Sequence, residues 1–362
     1  MKIAQVAPLC ESVPPKLYGG TERIVSFLTE ELVNLGHEIT LFASADSVTR
    51  ARLISHAPEA LRLKKDCEDM LAPHLLQLKD VVDMSEEFDL IHFHTDYLNF
   101  IVSDLLKCPH ITTLHGKLTI QELQAVYNKF PKQPVVSISN HQRLPLPQAN
   151  FIGTVHHGLP EKLFIPGSGA GEYFAFIGRI SPEKRCDRAI EIAISTHTPI
   201  KIAAKIDKTD RDYFEKEIKP FFDHPLVTYI GEINDLQKQE FLGNAKALLF
   251  PIDWPEPFGL VMIEAMACGT PVIAWNMGSV PEIIDNGQTG FIVNSIEEAM
   301  VAADKIPLID RFRVRKTFEE KFSARCMTMG YINIYEKLLV NSKGGKRLRI
   351  GFNEAMSTAK AV

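Results

Sequence analysis

Two glutamates, Glu256 and Glu264, close the run Pro255-Glu256-Pro257-Phe258-Gly259-Leu260-Val261-Met262-Ile263-Glu264 with seven residues between them. Pro257 and Gly259 keep Glu256 on a loop, since neither sits easily inside a helix. Residues 260–266 are good helix formers, and Gly269 with Pro271 stops the run. Free amide N–H groups leading into a helix N-terminus suit an anion such as a phosphate. Carboxylates beside them can accept hydrogen bonds from the hydroxyls of a sugar or a ribose. A ligand that is both anionic and polyhydroxylated is a nucleotide-sugar. Earlier in the chain, Gly178-Arg179-Ile180-Ser181-Pro182-Glu183-Lys184-Arg185 follows an apolar strand. Arg179 offers a bidentate fork and Lys184 a compact charge, a pair that can neutralise a diphosphate. The plain alternative is two surface cations near a helix start, where the macrodipole disfavours them.

In the first half, Tyr18-Gly19-Gly20-Thr21-Glu22-Arg23 follows the first strand and opens a helix. Its backbone can cradle a phosphate, but it is not a G-x-G-x-x-G dinucleotide fingerprint. Three groups of histidines end strands: His92 with His94, His115, and His156 with His157. His115 either faces the cleft expected at those strand ends or is a satisfied structural histidine. His92 and His94 with Asp96 have a metal-ligand spacing, yet residues two apart commonly share a strand face, and no metal site is expected. No G-x-S-x-G elbow, P-loop or H-E-x-x-H is present, and no D-x-D carboxylate pair is expected anywhere in the chain, which removes the usual sign of a metal-bound diphosphate. Neutralisation would then fall to Arg179, Lys184 and backbone dipoles.

These residues need a frame, and the hydrophobic pattern supplies one. Strands at 2–7, 38–43, 90–93, 111–114, 135–139 and 150–156 alternate with helical stretches, and Asn140 is placed to cap one of them. The alternation restarts after 158–171, a Gly-, Pro- and Ser-rich stretch that reads as a linker. Strands then fall at 173–177, 200–204, 227–230 and 247–250, and a last one begins at Val272. Helices are expected over 187–196, 212–222, 236–244 and 260–268. This is an α/β chain of two doubly wound, mostly parallel sheets facing a cleft. The boundaries expected are 1–160, 161–323, a helix at 324–340, and a mobile basic tail at 341–362. Residues 49–65, with basic residues interleaved with leucines, read as an amphipathic helix with a solvated face; a membrane-docking face is the alternative.

A chain of 362 residues suits two domains, and 45% apolar with 23% charged residues is a globular composition. A net charge of −5 argues against a nucleic-acid partner. Six scattered cysteines without a CxxC pair fit reduced thiols. The N-terminal apolar run is too short for a signal peptide, so a cytoplasmic protein is expected.

The motifs together resemble the family 4 glycosyltransferases of the GT-B architecture. The resemblance rests on Gly19-Gly20-Thr21-Glu22, Thr113-Leu114-His115-Gly116, the Gly-Arg…Lys of 178–184 and the Glu-x7-Glu of 256–264. It implies two Rossmann-like domains, with the donor held mainly by the second, and a last helix that crosses back to the first. By the same resemblance, Arg179 and Lys184 would bind the donor diphosphate and Glu264 the ribose hydroxyls. Glu256 would hold the transferred sugar, helped by the backbone of Phe258, Gly259 and Leu260. Gly20 would approach the phosphates from across the cleft, and His115 would lie near the anomeric centre and the C6 hydroxyl. Transfer of a hexose, from a UDP-sugar, would retain anomeric configuration without a metal or other cofactor. The acceptor would be a small molecule, a glycan or a lipid, the last allowing peripheral contact with the inner face of a membrane. Arg185 departs from the family pattern, which commonly has glycine there. Met1 to Ser47 is similar to a subgroup containing cyanobacterial enzymes that glucosylate a pterin, the UDP-glucose:tetrahydrobiopterin glucosyltransferases. A sugar-nucleotide epimerase, a phosphorylase or a non-catalytic nucleotide-sugar-binding protein on this architecture are the alternatives.

Overall fold

The computed structural model describes residues 1–16, 19–64 and 67–342, so Tyr18 and the basic tail from Lys343 onward lie outside the described residues. The first half contributes β1 (Lys2–Val6), α1 (Gly20–Asn34), β2 (Glu38–Phe42), β3 (Arg52–Ile54), α2 (Leu71–Asp83), β4 (Leu90–Phe93) and β5 (His110–Thr113). It continues with α3 (Gln121–Lys129), β6 (Val135–Ser137), α4 (Asn140–Arg143) and β7 (Phe151–Thr154). These strands form one parallel seven-stranded sheet in the order β3-β2-β1-β4-β5-β6-β7.

The second half contributes β8 (Phe174–Arg179), α5 (Cys186–Ser195), β9 (Ile200–Lys205), α6 (Arg211–Tyr213), β10 (Val227–Gly231) and α7 (Asp235–Asn244). After these come β11 (Ala247–Phe250), α8 (Leu260–Ala267), β12 (Val272–Trp275), α9 (Val280–Ile283), β13 (Gly290–Val293), α10 (Ile296–Lys305), α11 (Arg311–Lys321) and α12 (Ala324–Ser342). Its parallel sheet runs β10-β9-β8-β11-β12-β13. Ala-Leu-Leu-Phe of β11 and Val-Ile-Ala-Trp of β12 are buried at every position. Central parallel strands are covered on both faces, so a continuous apolar run is what they require. The fold is therefore GT-B-like: two Rossmann-like sheets whose strand ends face one another.

The chain crosses between the halves twice, side by side. Leu159 N–H donates to the Phe322 carbonyl at 2.9 Å, and Ala324 N–H donates to the Leu159 carbonyl at 2.7 Å. Beyond that crossing α12 packs on α1, where Ile24, Leu28 and Leu32 meet Met327, Tyr331 and Tyr335 in one buried cluster. Among the described residues no helix is long and apolar enough to cross a membrane.

Four local expectations change. Residues 49–64, the described part of the stretch expected as a helix over 49–65, hold β3, paired with β2, and a series of turns. The helix expected at 212–222 is broken into α6, a π turn at Phe214–Ile218 and a 3-10 turn at Lys219–Asp223, with Pro220 interrupting the hydrogen-bond ladder. Ser139, not Asn140, caps α4, its hydroxyl accepting from Gln142 N–H at 3.1 Å. The stretch 158–171 is strapped down, with Gly167 N–H on the Cys268 carbonyl and Gly169 N–H on the Gly243 carbonyl, each at 2.9 Å.

Candidate active site

The two sheets enclose a cleft of about 730 Å³, lined from the first half by Gly19, Gly20, Thr21, Arg23, His115 and His157. From the second half come Gly178, Arg179, Lys184, Lys238, Glu256, Phe258, Gly259, Leu260 and Glu264. Every residue expected at the site therefore lies on one cavity wall or another. The loop-to-helix junction sits at its centre. Gly259 has φ +83° and caps α8, a left-handed turn that points the first amides of the helix at the cleft. A second loop braces it. Gly278, at φ +57°, has its α-carbon so close to the Glu256 backbone that a side chain would collide with the carbonyl oxygen. Ser279 then donates from its N–H to the Glu256 carbonyl at 3.1 Å and from its hydroxyl to the Phe258 carbonyl at 2.7 Å. Sequence reasoning missed this brace, because nothing local says what Gly278 and Ser279 pack on.

The two glutamates have separate cationic partners. Glu256 is paired with Lys184 and also accepts from the Trp254 indole N–H at 3.1 Å. Glu264 is 4% exposed and accepts from Lys238 at 2.7 Å. Sequence reasoning missed Lys238 and Trp254: Lys238 reaches Glu264 only because α7 packs beside α8. Lys238 also stands 3.7 Å from Asp235, which meets Arg23 of α1 at 2.6 Å, so a chain of charges spans the cleft. Gly20 faces Leu260 across the same gap, 3.8 Å from the position its β-carbon would take.

Arg179 is more heavily countered than its motif suggests. Its guanidinium donates to Glu183 at 2.6 Å and lies 3.7 Å from Asp207 and 3.6 Å from Asp210. A D-x-D spacing does occur here, at Asp210-Arg211-Asp212, which corrects the expectation that the chain has none. Asp210 turns toward Arg179 and Asp212 is exposed, so the two carboxylates do not converge. Burial raises the Asp210 carboxyl above its ordinary range; Arg179 opposes this, while Glu183 and Asp207 add to it. Arg185 takes a left-handed φ of +53°, a conformation that explains why glycine suits this position. Its guanidinium is spent on Asp187 at 2.7 Å and Asp253 at 3.0 Å, away from the cleft.

The histidines expected at separate strand ends converge. His94 Nδ1 lies 2.9 Å from His115 Nε2, and the His115 and His157 rings stack at 5.3 Å. His157 in turn meets the edge of Phe258, itself 2% exposed, so the loop before α8 packs against this cluster. Burial pushes the His115 imidazole down to about 3, and it drives those of His92, His94 and His157 well below their ordinary value. All four are neutral near pH 7.

Comparison with known proteins separates this arrangement from other two-sheet folds. Residues 161–311 match the family model described as glycosyl transferases group 1, and residues 18–137 match that of glycosyltransferase family 4. By family, this chain is a glycosyltransferase. An uncharacterized glycosyltransferase of Methanocaldococcus jannaschii is 24% identical to it over 351 residues, covering 90% of this chain and 97% of the relative. The N-acetyl-alpha-D-glucosaminyl L-malate synthase of Bacillus anthracis is 24% identical, with 73% and 79% covered. Among solved structures, HepE of Anabaena in complex with UDP has a TM-score of 0.71 at 18% identity, covering 93% of this chain and 100% of that one. The sucrose-phosphate synthase of Thermosynechococcus elongatus has a TM-score of 0.72 at 19% identity, covering 94% and 99%. The glycosyltransferase shares its fold with these two structures.

Proposed function

We propose that this glycosyltransferase moves a hexose from a nucleotide-sugar, a UDP-sugar, to a hydroxyl-bearing acceptor with retention of anomeric configuration and without a metal. The observation that carries the reading is the pairing of both glutamates with cations around the α8 N-terminus. Glu264 and Lys238 together offer an acceptor and a donor to the ribose hydroxyls. Lys184 and Glu256 offer a cation to the diphosphate and an acceptor to the sugar, each freed by exchanging its present partner for the ligand. Arg179, whose contacts to Asp207 and Asp210 at 3.7 and 3.6 Å are looser than its bond to Glu183, would turn its guanidinium from these two carboxylates to the diphosphate. Gly20, Phe258, Gly259 and Leu260 contribute backbone, and His115 accepts from the C6 hydroxyl.

In this proposal the acceptor hydroxyl attacks the anomeric carbon on the face from which UDP departs. The carbon–oxygen bond to the diphosphate breaks, the new glycosidic bond forms, and a phosphate oxygen takes the hydroxyl proton. Lys184 and Arg179 stabilise the charge that develops on the leaving group. UDP bound to Anabaena HepE supports the choice of base. A pterin is the first acceptor to try, on the resemblance of the N-terminal segment; glycans and lipids follow.

The test is transfer from a panel of nucleotide-sugars to such acceptors, with the product's anomeric configuration read by NMR. Transfer by the wild type and its loss in Glu264→Ala and Arg179→Ala, with the fold intact, is the expected result. Full activity in either variant would overturn the site assignment. Epimerised donor, or sugar phosphate released only when phosphate is added, would overturn the transfer reading.

A further inference from the structure

We infer that a buried hydrogen-bond relay running from α12 through Gln5 and His94 fixes the tautomer of His115, making its Nδ1 an acceptor for a donor-sugar hydroxyl. The relay can be followed proton by proton. Thr113 donates its hydroxyl to Tyr331 of α12 at 3.0 Å. With that proton committed, the 2.7 Å contact between His92 Nε2 and Thr113 needs the proton on His92. His92 Nδ1 is then a lone pair, and the Tyr335 hydroxyl donates to it at 2.7 Å. Tyr335 can now only accept, and it receives the Gln5 amide N–H at 3.3 Å. That sets the Gln5 carbonyl oxygen toward His94, whose Nε2–H donates to it at 2.8 Å. His94 Nδ1 is therefore an acceptor, and the proton in its 2.9 Å contact belongs to His115 Nε2.

The last consequence is at the cleft. His115 Nδ1 carries a lone pair, is shielded, and has no partner among the described residues. Such an atom calls for a donor, and a hydroxyl meets the need where a phosphate oxygen does not. Gln5, His92 and Tyr335 are 0% exposed and His94 is 1% exposed, so solvent cannot break the chain. The low basicity of the four buried histidines keeps each of them neutral, as the relay requires. Gln5, His94 and Tyr335 are thus positioning residues, and α12 is tied to the site by chemistry as well as packing.

The kinetic arm of the test rests on the glycosyl-transfer reading; the spectroscopic arm does not. In the full chain labelled with ¹⁵N-histidine, His115 is expected to show a protonated Nε2 and an unprotonated Nδ1 at pH 7. Gln5→Met removes the acceptor from His94, and Tyr335→Phe removes the acceptor that orients Gln5, so each should give His115 nitrogen shifts averaged between tautomers. With UDP-glucose, both variants should lose about tenfold in kcat/KM, a figure set by one lost hydrogen bond. With UDP-6-deoxyglucose, which lacks the hydroxyl, they should match the wild type. A protonated Nδ1 in the wild type, or unchanged His115 shifts in both variants, would overturn the relay. Equal losses with the two donors would overturn its part in hydroxyl recognition. If the wild type transferred no sugar at all, the glycosyl-transfer reading would fall, and the nitrogen shifts would still decide the relay.

Discussion

Arg179 carries three neighbouring carboxylates where a diphosphate site needs spare positive charge, and Asp210 is the least rewarded of them. Its Oδ2 is shielded and has no hydrogen-bond partner, so it repels a diphosphate without fixing the guanidinium firmly. Asp210→Asn should therefore lower the donor KM about threefold, the scale of removing one screened like charge, with kcat nearly unchanged. Steady-state kinetics with varied donor checks it; a raised KM would show that Asp210 orients Arg179. Lys238 makes the opposite case. Lys238→Met leaves the buried Glu264 without its cation, and the donor KM should rise about tenfold while the fold persists. The glutamates were legible because proline, glycine and a helical run fix which of them lies on the loop and which on the helix. Lys238 and Asp210 were not, because their partners come from neighbouring elements and no local period encodes that.

At the scale of elements, Glu282 of α9 ties the two halves together through bonds separate from those of the chain crossings at Leu159 and Ala324. It accepts from Asn140 N–H and His141 N–H at 2.8 Å each, and from His156 Nε2 at 3.0 Å. These bonds join α9 of the second half to the N-terminus of α4 in the first. Burial by itself would raise the Glu282 carboxyl, but the hydrogen bonds from His156, Asn140 and His141 outweigh it and hold the group below its ordinary range. A carboxyl depressed in the folded state stabilises above its unfolded value near 4.5 and loses that contribution as pH falls through the folded value. The melting temperature of the wild type should thus exceed that of Glu282→Gln at pH 7, with the gap closing below about pH 4.5. A gap that stayed constant to pH 3 would show that the contact does not depend on charge. The βα alternation made the two sheets legible, since each buried parallel strand leaves an apolar run. The edge strands β3 and β13 escaped because they are only partly buried and so lack a continuous apolar run. The break in the helix near Pro220 escaped because the apolar spacing on either side of it still reads as helical. The partner of Glu282 could not be read at all: the pairing spans more than 120 positions, and only the juxtaposition of the two sheets creates it.

At the scale of the whole molecule, the buried histidines set the acid limit of the fold. His92, His94, His115 and His157 are held neutral by burial, whereas in the unfolded chain each takes up a proton near pH 6.5. A histidine with a depressed folded value makes the unfolded state bind more protons, so stability falls as pH drops below 6.5. Each group contributes up to about 1.4 kcal/mol per pH unit in that range, and four acting together reach about 5 kcal/mol per unit near pH 5.5. A typical domain holds only about 5–15 kcal/mol in total. Denaturant melts at successive pH values should therefore show a steep loss of stability between pH 6.5 and 5. Replacing His92 by Gln, which keeps polar contacts without a titrating ring, should flatten that slope by about one proton even if it lowers stability at pH 7. An unchanged slope in His92→Gln would mean that His92 is protonated in the folded state. The same result would break the relay at its second link, since a doubly protonated ring leaves Tyr335 nothing to donate to.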